Sequence, residues 1–296
     1  MLFRSATPGS TGSTTTAPAA PFVPTDLSPV LGAPLDGEGH WVPLDVPGGV
    51  PTMWVTSMRP LAEAGSVTAT YVYFGQDRLR ARLYGGTELP GGSGWQYLGR
   101  ISGDDRSTVV AAFNGGFRFE HIAGGYKTEG RVVRPLVDGE ATLAIDTEGR
   151  LDIGEYGRDL TDDGTWVSLR QGHRLLVDGG RSMATSRYTA AWGVDYGNET
   201  YTFRSALCEV GDGDLMFVVA GDVDAMLFGT VLVNAGCTTA MQLDINGTWP
   251  QFAYYGGLGS TDRTATLVDS RMGNAYRYLN GSTKDFVALV VADPVE

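Results

Sequence analysis

The stretch Ala240-Met-Gln-Leu-Asp-Ile-Asn-Gly-Thr-Trp249 joins a short apolar run to a polar end. This pattern is typical of a buried strand that delivers a carboxylate, Asp244, and an amide, Asn246, to the edge of a sheet. The preceding segment, 222–236, has helical spacing and ends in glycine, which commonly stops a helix. We therefore expect a helix–strand unit that ends at Asp244 and Asn246, in a position where functional residues often lie. A strand-end Asp that only forms a turn or a cap would give the same pattern.

The composition favours strands and turns over long helices. Of 296 residues 42 are Gly, while the helix-favouring residues Lys and Glu are scarce. The apolar fraction of 42% is enough to fill a sizeable core. Short strands joined by Gly-rich turns are the expected result.

The charge balance argues against nucleic acid as a partner. The chain has 22 basic and 34 acidic residues, for a formal net charge of −12. A long basic surface for a phosphate backbone is therefore not expected, although local Arg or Lys residues could hold a single phosphate. Because no apolar run reaches about 18 residues, we predict no transmembrane segment in this chain.

The first 39 residues are rich in Ser, Thr, Pro, Ala and Gly, which predicts a flexible linker ahead of one domain at 40–296. Such stalks often separate an export signal or an anchor from a folded domain. We therefore expect an extracellular or cell-surface protein, whose signal or anchor could already have been removed. Cys208 and Cys237 could be two buried thiols or one disulfide. The low Lys content and low charge fit export, where a disulfide persists, so we favour the disulfide.

Runs of apolar or alternating residues predict the strands of the domain. Leu79–Tyr84 alternates Arg with apolar residues, as expected of an edge strand with one wet face. A helix is expected from Asp222, as N-cap, to Asn234. A hairpin is expected at 196–199, between strands 187–195 and 201–207. The other predicted strands are Met53–Met58, Val67–Phe74, Val109–Phe113, Leu143–Asp146, Leu151–Ile153, Trp166–Leu169, Arg174–Val177, Leu215–Ala220 and Phe286–Val291.

The sequence Asn114-Gly-Gly-Phe117 directly follows one of these strands. Asn-Gly is the strongest short signal for a hairpin turn, and the local pattern favours that interpretation. Two glycines would also let the backbone approach a ligand closely, which is the alternative.

Polar residues at strand ends suit a polar or anionic small ligand. Arg and Lys can hold phosphate, amides can hold hydroxyls, and a carboxylate can act as acid, base or nucleophile. The set is Asn114, Lys127, Arg170, Gln171, Asp178, Arg187, Asp244 and Asn246.

Motifs for other chemistries are missing from the sequence. There is no nucleophile elbow, P-loop or dinucleotide fingerprint, and His40, His121 and His173 form no i, i+4 pair. We therefore predict no cofactor and no metal site. Carboxylates could hold a divalent ion, but no ligand spacing compels one.

Five segments in a fixed order resemble the phosphodiester glycosidase family, which includes bacterial exopolysaccharide-related proteins. The resemblance covers roughly residues 50–292, and each motif is short. The segments are Ala111-Ala-Phe-Asn-Gly-Gly-Phe117, Gly124-Gly-Tyr-Lys127, Arg170-Gln-Gly-His-Arg-Leu-Leu-Val-Asp-Gly-Gly180, Arg187 with Trp192-Gly-Val-Asp195, and Ala235-Gly-Cys-Thr-Thr-Ala-Met-Gln-Leu-Asp-Ile-Asn-Gly-Thr-Trp249.

The resemblance implies an α+β fold with a β-rich mixed-sheet core and few helices. It also implies hydrolysis of a sugar-1-phosphodiester, on a cell-envelope or extracellular glycan. The implied catalytic residues are Asp244, Arg187 and Asn114. The chain departs from many members at Ile245, where they carry glycine. The implied substrate-binding residues are Gly115, Gly116, Lys127, Gln171, Asn246 and Asp178.

Two roles remain open at this point. In an enzyme, Arg187 and Lys127 would neutralise the departing phosphate, and Glu129 or Asp178 could supply a second carboxylate. The alternative is a non-catalytic carbohydrate-binding module of the cell envelope on the same scaffold. In that case Trp249, Tyr254 and Tyr255 could stack on sugars, unless they pack in the core.

Overall fold

Three sheets make up the fold in this computed structural model, which describes residues 23–44, 51–186, 190–193, 200–211 and 213–292. The first sheet has eight strands, and its central strands are long and buried. In spatial order they are β1 (Val42–Pro43), β2 (Met53–Met58), β3 (Ala69–Phe74), β14 (Asp214–Val223), β13 (Thr202–Val210), β15 (Thr239–Ile245), β11 (Leu175–Asp178) and β12 (Arg181–Ser182).

The other two sheets have five strands each and cover one face of the first. The second sheet consists, in spatial order, of β7 (Arg131–Arg134), β6 (Tyr126–Thr128), β10 (Trp166–Gln171), β8 (Ala141–Asp146) and β9 (Leu151–Glu155). The third consists of β17 (Thr264–Leu267), β16 (Phe252–Gly256), β5 (Val109–Asn114), β18 (Phe286–Val291) and β4 (Leu79–Tyr84).

Helices are few and short, as the composition predicts. They are α1 (Asp105–Thr108), α2 (Ala225–Asn234) and α3 (Arg277–Asn280), with 3-10 turns at Phe119–His121 and Ala190–Trp192. No helix in the described ranges is long and apolar enough to cross a membrane.

Strand pairing corrects one part of the predicted fold. The pairs joining the named strands are all antiparallel, and parallel pairing is limited to isolated bridges such as Gly85 with Leu98. A mixed sheet is therefore wrong for the strands that the structure describes. Parallel neighbours need a crossover connection, usually a helix, and α2 is the one helix longer than four residues in the part of the chain that the structure describes.

Two hydrophobic layers hold the eight-stranded sheet. One lies where the three sheets face each other, with Phe74, Phe113 and Phe217 at its centre. The other lies on the opposite face, where α2 and the segment around Trp41 pack. Both faces of the central strands are thus buried, which is why they read as continuous apolar runs.

The helix begins two residues later than expected. Asp224, not Asp222, is its N-cap, because the Asp224 side chain accepts a hydrogen bond from the Leu227 amide at 2.8 Å. Asp222 has a positive φ of 56° and lies at the end of β14. The sequence offers an Asp at both positions, and β14 runs further than its apolar core indicates.

The predicted hairpin at Asn114 and the predicted strand at 187–195 both differ from the structure. Asn114 does not begin a hairpin: β5 pairs with β16 and β18, while the next strand, β6, belongs to another sheet. Within 187–195, residues 190–192 form a 3-10 turn instead of the predicted strand. The predicted hairpin at 196–199 lies outside the described residues.

Residues ahead of position 40 already contact the domain. Leu27 donates its amide to the Gly39 carbonyl, and the Trp41 indole donates to the Thr25 carbonyl. Glu38 forms an ion pair with Arg59 at 2.7 Å. Residues 25–39 of the predicted linker thus contact the domain, whereas 1–22 lie outside the described residues.

The predicted disulfide is confirmed. Cys208 on β13 and Cys237, just after α2, are bonded, with their Cα atoms 5.6 Å apart. The bond ties the end of the helix to the centre of the large sheet.

Candidate active site

Asp244 lies at the end of β15, where the first sheet meets the third. Leu243 and Ile245 flank it and are buried, so the strand fixes the carboxylate in an apolar setting with 4% exposure. Its Oδ1 accepts a hydrogen bond from the Ile245 amide at 2.8 Å, and its Oδ2 forms an ion pair with Lys284 Nζ. Burial raises the pKa of Asp244, and nearby Asp285 adds to the rise, while the Lys284 ammonium opposes it.

Lys284 and Asp285 come from the loop just before β18. Lys284 is 5% exposed and reaches Asp244. Asp285 is fully enclosed and pairs with Arg170 of β10, Nε to Oδ2 at 2.7 Å. Two buried ion pairs thus lie side by side, one from each member of a consecutive Lys-Asp sequence. Each pair balances its own charge, as buried charges require.

Asn114 connects the sheets at this edge. Its Nδ2 donates to Ser205 Oγ of β13 at 3.1 Å, and its Oδ1 accepts from the Gln251 amide at 3.0 Å. Ser205 lies directly opposite Asp244 in the β13–β15 pair. Asn114 is therefore linked to the Asp244 position through Ser205, and its two hydrogen bonds fix its orientation.

The two glycines after Asn114 are needed for close packing. A Cβ on Gly115 would lie 2.2 Å from Asp285 Oδ2, and one on Gly116 would lie 2.8 Å from Arg170 Cζ. The Gly115 amide donates to the Asp285 carbonyl at 3.0 Å. The Asn-Gly-Gly segment thus wraps the Arg170–Asp285 pair, which explains the glycines that suggested a hairpin.

Trp249 lies over the Asp244–Lys284 pair. Lys284 Nζ is 4.8 Å from the centroid of its ring, and Arg277 Cζ is 5.0 Å from the same centroid. The indole is half-buried. Two cations on one aromatic ring form the rim of the site.

The other predicted site residues make contacts elsewhere. Lys127 pairs with Asp162 at 2.5 Å, and Asp178 pairs with Arg158 at 2.7 Å. Glu129 accepts the Tyr97 amide in the turn between β6 and β7. In the described part of the chain, these contacts do not join the three side chains to the Asp244 cluster.

The side chains of Gln171 and Asn246 form hydrogen bonds with backbone amides of nearby loops. Gln171 Oε1 accepts from the amides of Gly125 and Val137, so its side chain joins the loop ahead of β6 to the loop after β7. Asn246 Oδ1 accepts from the Thr248 and Trp249 amides and shapes the turn below the indole. Arg187 lies outside the described residues.

Several members of the cluster escaped the sequence analysis. Lys284, Asp285, Ser205 and Arg277 were not among the candidates. The pair Lys284-Asp285 had a readable signal, since it stands directly before the apolar strand Phe286–Val291. Its partners are 40 residues away or more, and no local pattern points to them.

The cluster provides acid–base chemistry and charge. It has a carboxylate of raised pKa, an ammonium against it, and an uncharged amide in a fixed orientation. No group of three or more His, Cys, Asp or Glu side chains that could hold a metal ion occurs among the described residues.

Among solved structures, the chain is similar to the catalytic domain of zebrafish N-acetylglucosamine-1-phosphodiester α-N-acetylglucosaminidase, which is auto-inhibited by its pro-peptide. The match has a TM-score of 0.52 and 15% identity, and it covers 85% of this chain and 87% of that one. A hypothetical protein from Synechocystis matches with a TM-score of 0.52 and 9% identity, over 81% of this chain and 62% of that one. No protein-family model and no curated protein matches. The likeness shows a shared fold.

Proposed function

We propose that the chain is a hydrolase that cleaves the bond between a sugar and phosphate in a sugar-1-phosphodiester. The observation that carries the proposal is the buried Asp244–Lys284 pair at the sheet edge that also holds Asn114. Two further facts support it: the order of the sequence motifs, and the fold shared with a domain whose name describes such an activity.

In the proposed chemistry the bond between the anomeric carbon and the phosphate oxygen breaks, and the phosphate leaves. Asp244 either takes the proton of the water that attacks this carbon, or attacks the carbon itself to form an ester that water then hydrolyses. A phosphate is already a good leaving group, so the reaction depends less on an acid that protonates the leaving oxygen than ordinary glycoside cleavage does. Lys284 would neutralise the charge that builds on the departing phosphate. We thus assign to Lys284 the role that the sequence alone suggested for Lys127.

In this proposal Asn114 is a positioning residue, which does not contact the reacting atoms itself. Both of its amide atoms are bonded to Ser205 and Gln251, which fixes the strand end beside Asp244. The glycan acted on would belong to the cell envelope or the extracellular space. The disulfide fits that location, because such bonds persist in oxidising compartments.

A carbohydrate-binding module is the second candidate, and one observation favours it. Asp244 and Lys284 are each about 5% exposed and are paired with each other. A ligand would then meet mainly Trp249, which is half-buried. Tyr255 is buried in a cluster with Tyr278, and Tyr254 packs against the separate hydrophobic layer between the sheets.

The test is release of free sugar from a panel of sugar-1-phosphodiesters that includes an α-N-acetylglucosamine compound. We expect turnover by the wild type and a loss of roughly 10²- to 10⁴-fold in Asp244→Asn, as for removal of a general acid or base. Asp77→Asn, in an exposed ion pair with Arg78, is the matched control and should keep full activity.

Two results would redirect the proposal. No turnover of any panel member by the wild type would favour the binding module. Full turnover by Asp244→Asn would remove Asp244 from catalysis and leave the activity standing.

A further inference from the structure

Arg277 is a cation without a carboxylate partner in the described part of the chain. Its Nη2 donates to the Thr248 carbonyl at 2.8 Å, which is a neutral acceptor. Its Nη1 is buried and has no hydrogen-bond partner among the described residues. Buried donors are normally bonded, and a guanidinium donor left without an acceptor is costly. No carboxylate among the described residues therefore takes up the charge of this guanidinium, and at least one of its donors is open to an acceptor.

The backbone around Arg277 is well defined. Arg277 begins α3, after a turn in which its amide donates to the Asn274 carbonyl at 3.0 Å. Asn274 Oδ1 accepts from the Tyr276 amide at 3.0 Å. A Cβ on Gly273 would lie 3.0 Å from Arg277 Nη2, so the glycine leaves room for the guanidinium. A turn thus fixes the backbone at Arg277, and the bond to the Thr248 carbonyl orients its side chain.

The surroundings connect Arg277 to the candidate active site. Arg277 and Lys284 both make cation–π contacts with the ring of Trp249. Tyr278 gives a second link: burial raises the pKa of its hydroxyl, the Arg277 cation and a hydrogen bond with the Arg277 side chain lower it, and the carboxylates of Asp244 and Asp285 raise it.

Charge balance indicates what Arg277 would bind. Lys284 offsets Asp244, and Arg170 offsets Asp285, so Arg277 adds one uncompensated positive charge to the cluster. The whole chain carries −12, which makes a local excess of positive charge unusual. A phosphodiester carries one negative charge, and guanidinium groups recognise phosphate through paired N–H donors.

We infer that Arg277 and Lys284 together form an anion subsite beside Trp249, and that it takes the phosphoryl group of the substrate. The choice of a phosphodiester rests on the proposed function, whereas binding of an anion does not. Arg277 is a specificity-determining residue in this assignment: it selects a sugar bonded to phosphate over a neutral glycoside. Lys284 neutralises charge at the reacting bond, and Arg277 holds a non-bridging oxygen.

The first measurement is binding of inorganic phosphate and of dimethyl phosphate by isothermal titration calorimetry. We expect binding by the wild type and a roughly ten- to hundredfold weaker affinity in Arg277→Gln, the loss for hydrogen bonds to a charged group. Arg277→Lys should lie in between, because it keeps the charge and loses the paired donors. Arg181→Gln, an exposed position on the edge strand β12, is the matched control and should bind like the wild type.

The second measurement is kinetic. Arg277→Gln should raise KM for a sugar-1-phosphodiester and leave any turnover of the neutral aryl glycoside of the same sugar unchanged. Thermal unfolding of each variant verifies that it is folded. If Arg277→Gln is too unstable to purify, Arg277→Lys carries the same comparison.

The outcomes separate this inference from the proposed function. Wild-type protein that binds neither anion, or Arg277→Gln that binds both as tightly as the wild type, overturns the anion subsite. Binding that depends on Arg277, without turnover of any phosphodiester, supports the subsite and removes the hydrolase. Turnover with unchanged KM in Arg277→Gln removes the subsite and keeps the hydrolase. Arg277 would then only fasten the Thr248 carbonyl.

Discussion

Asp244 and Lys284 are 40 residues apart in sequence and form a buried ion pair between the first and third sheets. The side chain of each is at most 6% exposed. The pair therefore holds two sheets together at the site where we propose the chemistry occurs.

Removal of one partner should be costly. We expect Lys284→Met to lower the free energy of unfolding by about 3 to 5 kcal/mol, because it leaves Asp244 buried and unpaired. Urea unfolding measures the change. Arg158→Met is the control: its pairs with Asp159 and Asp178 are exposed, and its loss should cost at most about 1 kcal/mol. In the double variant with Asp244→Leu, much of the lost stability should return; an equal or greater loss would contradict this account.

The pKa of Asp244 makes stability depend on pH. Burial disfavours the charged carboxylate, so the folded protein holds this proton more tightly than the unfolded chain does. The contribution of Asp244 to stability should therefore fall as pH rises from the ordinary value, 3.8, through the raised value in the folded protein. Carboxyl ¹³C NMR, assigned with Asp244→Asn, measures the folded pKa directly. A midpoint below 3.8 would show that the Lys284 ammonium outweighs burial.

The titration of Asp244 also predicts how kcat/KM depends on pH on the acid side of the profile. If Asp244 acts as base or nucleophile, kcat/KM should fall on the acid side with a midpoint above 3.8. Lys284→Gln should move the midpoint to higher pH, since the ammonium favours the charged carboxylate. An unchanged midpoint in this variant would assign the limb to another group.

Gly115 should not tolerate a side chain. A Cβ there would lie 2.2 Å from Asp285 Oδ2, so Gly115→Ala must displace the Arg170–Asp285 pair. We expect a loss of several kcal/mol, on the order of that for a broken buried ion pair, measured by thermal or urea unfolding. Gly247→Ala is the matched control, because no atom lies within 4 Å of its Cβ position. Equal stability of the two variants would mean that the Asn-Gly-Gly segment shifts at little cost.

The disulfide should contribute measurably to stability. Cys208 and Cys237 close a loop with a sequence separation of 29 residues. Its removal in the double Cys→Ala variant should cost about 2 to 5 kcal/mol. The comparison of unfolding with and without reductant gives the same quantity for the wild type. If neither changes the midpoint, the packing of α2 on the sheet suffices without the bond.

Elements defined by their own residues could be predicted well. Met53–Met58, Leu79–Tyr84 and Phe286–Val291 occur as predicted, because each is an alternating or apolar run between polar residues. The edge position of β4 is confirmed too, since its Arg residues alternate with buried ones. Such patterns depend on the chain's immediate sequence alone.

Features that depend on distant residues could not be predicted. Asn114-Gly has the composition of a hairpin turn, and only the presence of Asp285 and Arg170 against it explains the glycines. Lys284 gains its role from Asp244, and Lys127 lacks one in this cluster because Asp162 holds it. The neighbouring sequence shows none of these partners, and only the tertiary contacts identify them.

The position of β18 in the third sheet constrains the order of folding. It lies between β5 and β4, although it comes after every other strand in the chain. Until β18 is in place, both neighbours expose unpaired backbone groups, and Lys284 cannot reach Asp244. A chain that has been synthesised only as far as the residues before Lys284 therefore lacks both the strand that joins β5 to β4 and the assembled site, and long-range pairing of this kind folds slowly. Any activity at this edge would report that the whole domain has folded.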